Sequence, residues 1–367
     1  MIQQIYTLNL LILAVTMVAL GLMYLFLNVS DSPKLGAYRN AAKAMAFTYI
    51  FFGLANGFEY MAELSDVQDV DHSLLLRLIT LIIASVQAFL FTFAIVSLIN
   101  TTYMTRKRVV REIVLISLLI VLGLFFYFTG EVAIYYFVGF YTAFYLFQLV
   151  RYTFLFVNLY GNCLCELNNY FSDREAERIR WVKFSFASAF VIGLMALILS
   201  IFPSLWFGLV ASLACLAFYV HFAIRFVNYA FIFNKIEEAL REEPEDESAD
   251  ESLPEYSLSE SVSALEGRIR QWVAHRQYIK QGITIKDMAV QIGTNRSYLS
   301  AYINQYEQKT FREWINGLRI EEAKRLLLEN PNMERWQLAE QVGYKNCDDF
   351  SIQFKKVTGQ TLTAYRQ

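Results

Sequence analysis

Two stretches of the sequence place polar side chains able to make paired hydrogen bonds just beyond a glycine. The run Met-Ala-Val-Gln-Ile-Gly at 288–293 is followed by Asn295, Arg296, Ser300, Ala301 and Asn304. The run Leu-Ala-Glu-Gln-Val-Gly at 338–343, fifty residues later, is followed by Lys345, Asn346, Asp348, Asp349, Ser351 and Gln353. Arg and Asn can each make two hydrogen bonds to one base edge, Arg to guanine and Asn to adenine. Lys355 and Lys356 are better suited to phosphates, which hold a protein on a duplex without reading it.

Helical periodicity positions these residues. Thr284 is suited to cap a helix over 285–292, and Gly293 to end it in a left-handed turn. A second helix begins at Asn295, with Tyr298, Leu299, Tyr302 and Ile303 apolar. Two helices joined by a short glycine-containing turn make a helix-turn-helix. A long helix is expected over 310–328, stopped by Pro331, and the motif then repeats over 336–342 and 347–356. Leu338, Val342, Phe350 and Phe354 should form the core of the second unit. An amphipathic segment, 265–276, precedes the first, with Leu265, Ile269, Trp272 and Val273 on one face.

With those residues in place, 265–367 resembles the DNA-binding domain of the AraC/XylS family of bacterial regulators. The likeness runs through Ala-Val-Gln-Ile-Gly (289–293), Ser-Tyr-Leu-Ser (297–300), Leu-Arg-Ile-Glu-Glu-Ala (318–323), Leu-Leu (326–327) and Ala-Glu-Gln-Val-Gly-Tyr (339–344). It continues through Phe-Ser-Ile-Gln-Phe-Lys-Lys-Val-Thr-Gly (350–359) and Tyr365-Arg366. The resemblance implies two helix-turn-helix units joined by a long helix, each placing a recognition helix in the major groove of double-stranded DNA. The family often has Arg where this chain has Ala301 and Ile352, and Pro where it has Leu362. Asp348 and Asp349 suit a helix N-terminus but repel phosphate.

The rest of the chain is of another kind. Of 367 residues, 56% are hydrophobic and 18% charged, against roughly 25% charged in an average soluble domain. Residues 1–236 carry a net charge of +3, 237–265 of −10 and 266–367 of +5. A bilayer core needs about 20 mostly apolar residues per helix. Seven candidate spans are expected: 5–27, 44–60, 78–99, 113–128, 132–154, 184–202 and 205–226. The second is the shortest and contains Asn56 and Glu59. The first lacks the basic start and small-residue cleavage site of a signal peptide.

Basic residues occupy alternate loops: Lys34, Arg39 and Lys43; Arg106, Lys107, Arg108 and Arg111; Arg174, Arg178, Arg180 and Lys183. Such loops face the cytoplasm, which puts the N-terminus outside and the C-terminus inside. The expected fold is therefore all-α: a seven-helix transmembrane bundle over 1–228, a helical extension and acidic flexible linker over 229–264, and a soluble AraC-type domain with two helix-turn-helix units over 265–367. The composite resembles membrane-embedded regulators of this family in Bacteroidota, in the inner membrane of a bacterium with the DNA-binding domain in the cytoplasm. Tyr229, Phe233, Ile236 and Leu240 follow a heptad-like spacing, which suits either a homodimerising stalk or the end of the seventh helix lying along the membrane interface.

Ionisable and amide groups inside spans often serve function. Glu59, Gln87 and His221 are the candidates for a stimulus site, against a simple helix-packing role. Cys163, Cys165, Cys215 and Cys347 form neither a disulfide framework nor a zinc-binding pattern. No nucleophile, paired-carboxylate or phosphate-loop motif is found, so no enzyme, metal or cofactor is expected. The expected partners are double-stranded DNA, the lipid bilayer, a second copy and a membrane or periplasmic protein. The rival reading is a membrane scaffold or transporter-like protein whose C-terminal domain contacts a protein.

Overall fold

The computed structural model describes residues 2–29, 35–64, 70–240 and 255–366. Among them the chain is helical, without strands; Phe171 and Thr284 form an isolated antiparallel bridge. Two compact units are present. The first comprises Met1–Cys163 and Ile179–Glu238, the second Leu164–Arg178 and Ala239–Gln367.

The first unit is built from seven helices: α1 (Ile2–Leu25), α2 (Gly36–Leu64), α3 (Val70–Ile99), α4 (Arg106–Thr129), most of α5 (Glu131–Tyr170), α6 (Arg180–Ile201) and α7 (Leu205–Leu240). Six of these regions are long and apolar enough to cross a membrane; α2 is not among them. Helix α2 is 29 residues long, and it buries Tyr38, Thr48, Tyr49 and Asn56. A helix that packs its polar groups against neighbours need not be uniformly apolar. The Tyr38 hydroxyl donates to the Phe226 carbonyl at 2.9 Å, and the Tyr38 and Phe226 rings stack 4.8 Å apart. Large apolar side chains cover the outside of the unit, Phe128 at 83% exposure and Tyr136 at 72% among them.

Three residues of the heptad-like seam are buried within the single chain. Tyr229 and Phe233 are buried, with ring centroids 5.2 Å from Trp181 and 5.7 Å from Tyr38, and Ile236 is buried too. A spacing of four and three serves burial in a chain's own bundle as well as pairing between chains. On α5, Arg151 donates to Glu112 of α4 at 2.9 Å, and the Tyr152 hydroxyl donates to the same carboxylate at 3.1 Å.

The second unit contains α8 (Glu255–Ala274), α9 (Ile285–Ile292), α10 (Arg296–Tyr302), a π turn (Ile303–Glu307), α11 (Phe311–Glu329), α12 (Arg335–Gln341), α13 (Cys347–Thr358) and α14 (Leu362–Tyr365). The acidic linker was expected to run as flexible chain to residue 264; the backbone is already helical at Glu255. Nucleation is the costly step in helix formation, so a helix fixed by the buried Leu265, Ile269 and Trp272 extends backward at little further cost. Linker residues 241–254 lie outside the described residues. Ile320, Leu327, Leu338, Val342, Phe350 and Phe354 form one core, with the last four fully buried as their spacing implied. The Trp272 and Trp314 rings stack 6.2 Å apart.

Candidate nucleic-acid interface

Local capping builds the first helix-turn-helix. The Thr284 hydroxyl accepts from the Asp287 amide at 3.1 Å, while the Asp287 carboxylate accepts from the Thr284 amide at 3.0 Å. This reciprocal cap satisfies two amides that a helix start leaves unpaired. Gly293 ends α9 at φ 67°, in the left-handed region, and the Asn295 side-chain oxygen then accepts from the Tyr298 amide at 2.7 Å to start α10. The same oxygen takes part in a two-bond contact with adenine, so the cap and such a contact would share it.

Of the other expected base readers in this half, Asn304 donates to Ser300 Oγ at 3.3 Å, and Ala301 is exposed beside them. Arg296 is half-buried: its guanidinium lies 4.8 Å from the centre of the Tyr170 ring and donates to the Ala239 carbonyl at 2.8 Å.

The second half repeats the plan with α12, a turn at Gly343 (φ 89°) and α13. Asn346 stands exposed at the N-cap of α13 without a side-chain capping bond. Lys345 pairs with Asp173 at 3.2 Å, and Asp349 with Arg174 at 3.0 Å. The Ser351 hydroxyl turns back to the Cys347 carbonyl at 2.8 Å. Gln353, expected to face bases, is buried at 9% exposure, so it does not lie on the open surface of α13. Lys355 and Lys356 are exposed, and Lys356 pairs with Glu313 at 3.0 Å. That pairing, with the Thr310 cap, holds the Glu313 carboxyl below the usual carboxylate range.

Helix α11 joins the halves and carries a feature that sequence reasoning missed. Arg319 is fully buried, donating to the carbonyls of Tyr278 at 2.9 Å and Lys280 at 2.8 Å, with Asp173 at 3.6 Å. Burial pushes its pKa down. Ser172, Asp173, Arg174, Glu177 and Arg178 line a cleft of about 340 Å³ together with residues of α11, α13 and the turn before α13. In the sequence this segment registered only as a basic loop.

The stimulus candidates are not gathered into one site. Glu59 accepts from the Tyr6 hydroxyl. Gln87 lines a small apolar cavity of about 60 Å³ with Phe91, Tyr145, Phe218 and Tyr219, and its amide nitrogen is buried without an acceptor among the described residues. His221 is exposed on α7. No group of three His, Cys, Asp or Glu among the described residues could hold a metal ion.

Residues 288–367 match the model of the helix-turn-helix domain family. The chain is 27% identical over 119 residues to the Msm operon regulatory protein of Streptococcus mutans, covering 32% of this chain and 42% of that protein. It is 32% identical over 99 residues to the HTH-type transcriptional regulator YisR of Bacillus subtilis, covering 26% of this chain and 34% of that one. It is 31% identical over 86 residues to the raffinose operon transcriptional regulatory protein RafR of Pediococcus pentosaceus, covering 23% of this chain and 31% of that one. The chain thus spans less than half the length of each of these relatives. No solved structure matches it.

Proposed function

We propose that this chain is a membrane-embedded one-component transcription regulator of the AraC type. Its C-terminal unit binds double-stranded DNA at the cytoplasmic face, under the control of a stimulus received by the apolar unit. The observation that carries the reading is the pair of helix-turn-helix halves joined by α11, in the stretch matched to transcriptional regulators, on a chain that also has six long apolar helices. The net charge of +5 over 266–367 supports phosphate attraction. Asn304, Asn346 and Lys355 are the exposed base and phosphate contacts in this reading, with Arg296 and Lys345 added once their present partners release them.

The exposed apolar girdle of the first unit supports a bilayer as its surroundings. Counting α2 as a seventh span puts the two ends of the bundle on opposite sides, in agreement with the alternation of basic loops. Gln87 and its aromatic cavity are the favoured place for an apolar stimulus.

The test uses the full chain in lipid nanodiscs. It should bind fragments selected from a genomic pool, with affinity falling steeply as salt rises, and chromatin immunoprecipitation should recover discrete sites. Salt-insensitive binding with no enriched site overturns the reading. A reporter fused to the C-terminus should be active only if that end is cytoplasmic.

A further inference from the structure

The segment that continues from the end of α5 touches both helix-turn-helix halves at the groups a DNA duplex would need. At the first half, the Tyr170 ring covers the Arg296 guanidinium at 4.8 Å. At the second half, Asp173 pairs with Lys345 at 3.2 Å and Arg174 with Asp349 at 3.0 Å. Arg296 opens α10, Lys345 immediately precedes the N-cap of α13, and Asp349 lies in the first turn of α13. The N-terminal residues of a recognition helix are those that reach base edges.

The attachment is made by backbone as well as side chains. Ser172 donates to the Ile283 carbonyl from its amide at 3.3 Å and from its hydroxyl at 2.7 Å. Phe171 bridges to Thr284, the cap of α9, and the Asn316 amide of α11 donates to the Ser172 carbonyl at 3.4 Å. Asp173 also lies 3.6 Å from the buried Arg319. The segment therefore holds the first half, the joining helix and the second half together.

We propose that residues 170–174 are an intramolecular latch that competes with DNA for the C-terminal unit. Asp173 stands toward Lys345 as a phosphate would, an anion on an ammonium group. The ring of Tyr170 occupies the face of a guanidinium that would otherwise stack or donate at a base edge. An ammonium paired to Asp173 cannot be fully engaged by a phosphate at the same time. Arg174 holds Asp349 toward the segment, so α13 is committed to this partner as well. Because the segment joins α5 to α6, displacement of either helix pulls on the latch directly. The inference rests on the DNA-binding reading and adds to it the means of control.

The experiment compares the full chain in nanodiscs with the Asp173→Asn, Arg174→Gln double variant. Neither position belongs to the proposed DNA contacts. Hydrogen exchange at the amides of 171–174 reports the latch, exchange in α11 and α13 reports folding, and fluorescence anisotropy with a selected duplex reports affinity. The latch predicts protected amides at 171–174 in the wild type, faster exchange there in the variant, and DNA affinity raised about tenfold, as for a binding-competent state populated one time in ten. Saturating DNA should also speed exchange at 171–174 in the wild type, a readout that needs no variant. Affinity unchanged or lowered after the latch amides are released, with α11 and α13 still protected, overturns the proposal, as does undiminished protection of 171–174 with DNA bound. No DNA binding by either protein, with α11 and α13 protected in both, instead overturns the DNA-binding reading itself.

Discussion

Arg319 and Asp173 lie 3.6 Å apart, with the arginine wholly buried and the aspartate at 18% side-chain exposure. The guanidinium also ties α11 to the turn at 278–280 through the carbonyls of Tyr278 and Lys280. Replacing Arg319 with Leu removes the charge but strands both carbonyls, at about 1–3 kcal/mol for each buried group left unpaired. We expect Arg319→Leu to destabilise the second unit by about 2–4 kcal/mol, read as faster hydrogen exchange in α11 under native conditions. Arg319→Lys should recover little of this, since an ammonium on a flexible stem does not reproduce the fork.

The two turn glycines should differ sharply on substitution. Both have positive φ, 67° at Gly293 and 89° at Gly343. A methyl group on Gly293 would come no nearer than 3.4 Å to the tip of Arg268, a flexible side chain. One on Gly343 would lie 2.1 Å from the Ile279 carbonyl oxygen, which cannot move without the backbone. Gly293→Ala should cost about 1–2 kcal/mol for its left-handed conformation. Gly343→Ala adds a backbone clash and should cost more than about 3 kcal/mol, at the severe end for a single substitution. Limited proteolysis of the two variants ranks them.

This contrast also marks how far the sequence was legible. Gly293 and Gly343 sit at equal positions of a repeat, and sequence reading identifies both turns, the Thr284 cap and the buried Leu338, Val342, Phe350 and Phe354. Those signals are local or periodic, so they survive in one dimension. The close approach of Ile279 to Gly343 does not. Nor does the contact of Ser172 with Ile283, which joins residues 111 apart and leaves no repeat in the sequence. Residue type is ambiguous where it has two uses. Asn295 suits a base edge and a helix cap equally, and its side-chain oxygen caps α10. Tyr229, Phe233 and Ile236 have the spacing of a dimer seam, a spacing that burial within one chain also uses.

Acid should weaken the second unit through Glu322 and Glu313. The buried Glu322 carboxylate accepts from Arg325 at 2.8 Å and lies 3.1 Å from Arg276, and the Arg325 hydrogen bond is the main reason its pKa is lowered. At Glu313 the main cause is the Lys356 ammonium. A carboxyl with a lowered native pKa adds stability above its unfolded value, about 4.3, and gives it up as pH falls through the native value. Stability should hold from neutral pH to about 5 and decline below that. Glu322→Gln should flatten the decline in denaturation curves taken across this range.

Lys355 and Lys356 are adjacent, but they should not contribute equally to DNA binding. Lys356 is paired with Glu313 at 3.0 Å, and a phosphate must compete with that carboxylate. Lys355 is exposed at the end of α13 and has no ion pair of this kind among the described residues. Loss of one phosphate contact lowers affinity across sequences and reduces the salt slope by about one. Lys355→Ala should do this in full and Lys356→Ala in part. Titrations of the full chain at several salt concentrations measure both. Lys356→Ala should in addition raise the Glu313 pKa, which no effect on DNA contact alone would do.

In the apolar unit, two glutamines should respond oppositely to the same change. Gln148 is buried and fully engaged: it accepts from the Ser85 hydroxyl at 2.6 Å and donates to the Tyr152 hydroxyl at 3.1 Å and the Ser85 carbonyl at 3.3 Å. Gln87 lines the aromatic cavity, and its buried amide nitrogen has no acceptor among the described residues. Gln148→Leu strands the Ser85 hydroxyl and should destabilise the unit by about 1–3 kcal/mol. Gln87→Leu removes a donor that already lacks a partner, so stability should stay within about 0.5 kcal/mol or rise. Thermal unfolding in detergent compares the two. A large loss from Gln87→Leu would mean that the amide has a partner in the membrane, which is the behaviour expected of a group that holds a bound molecule in this cavity.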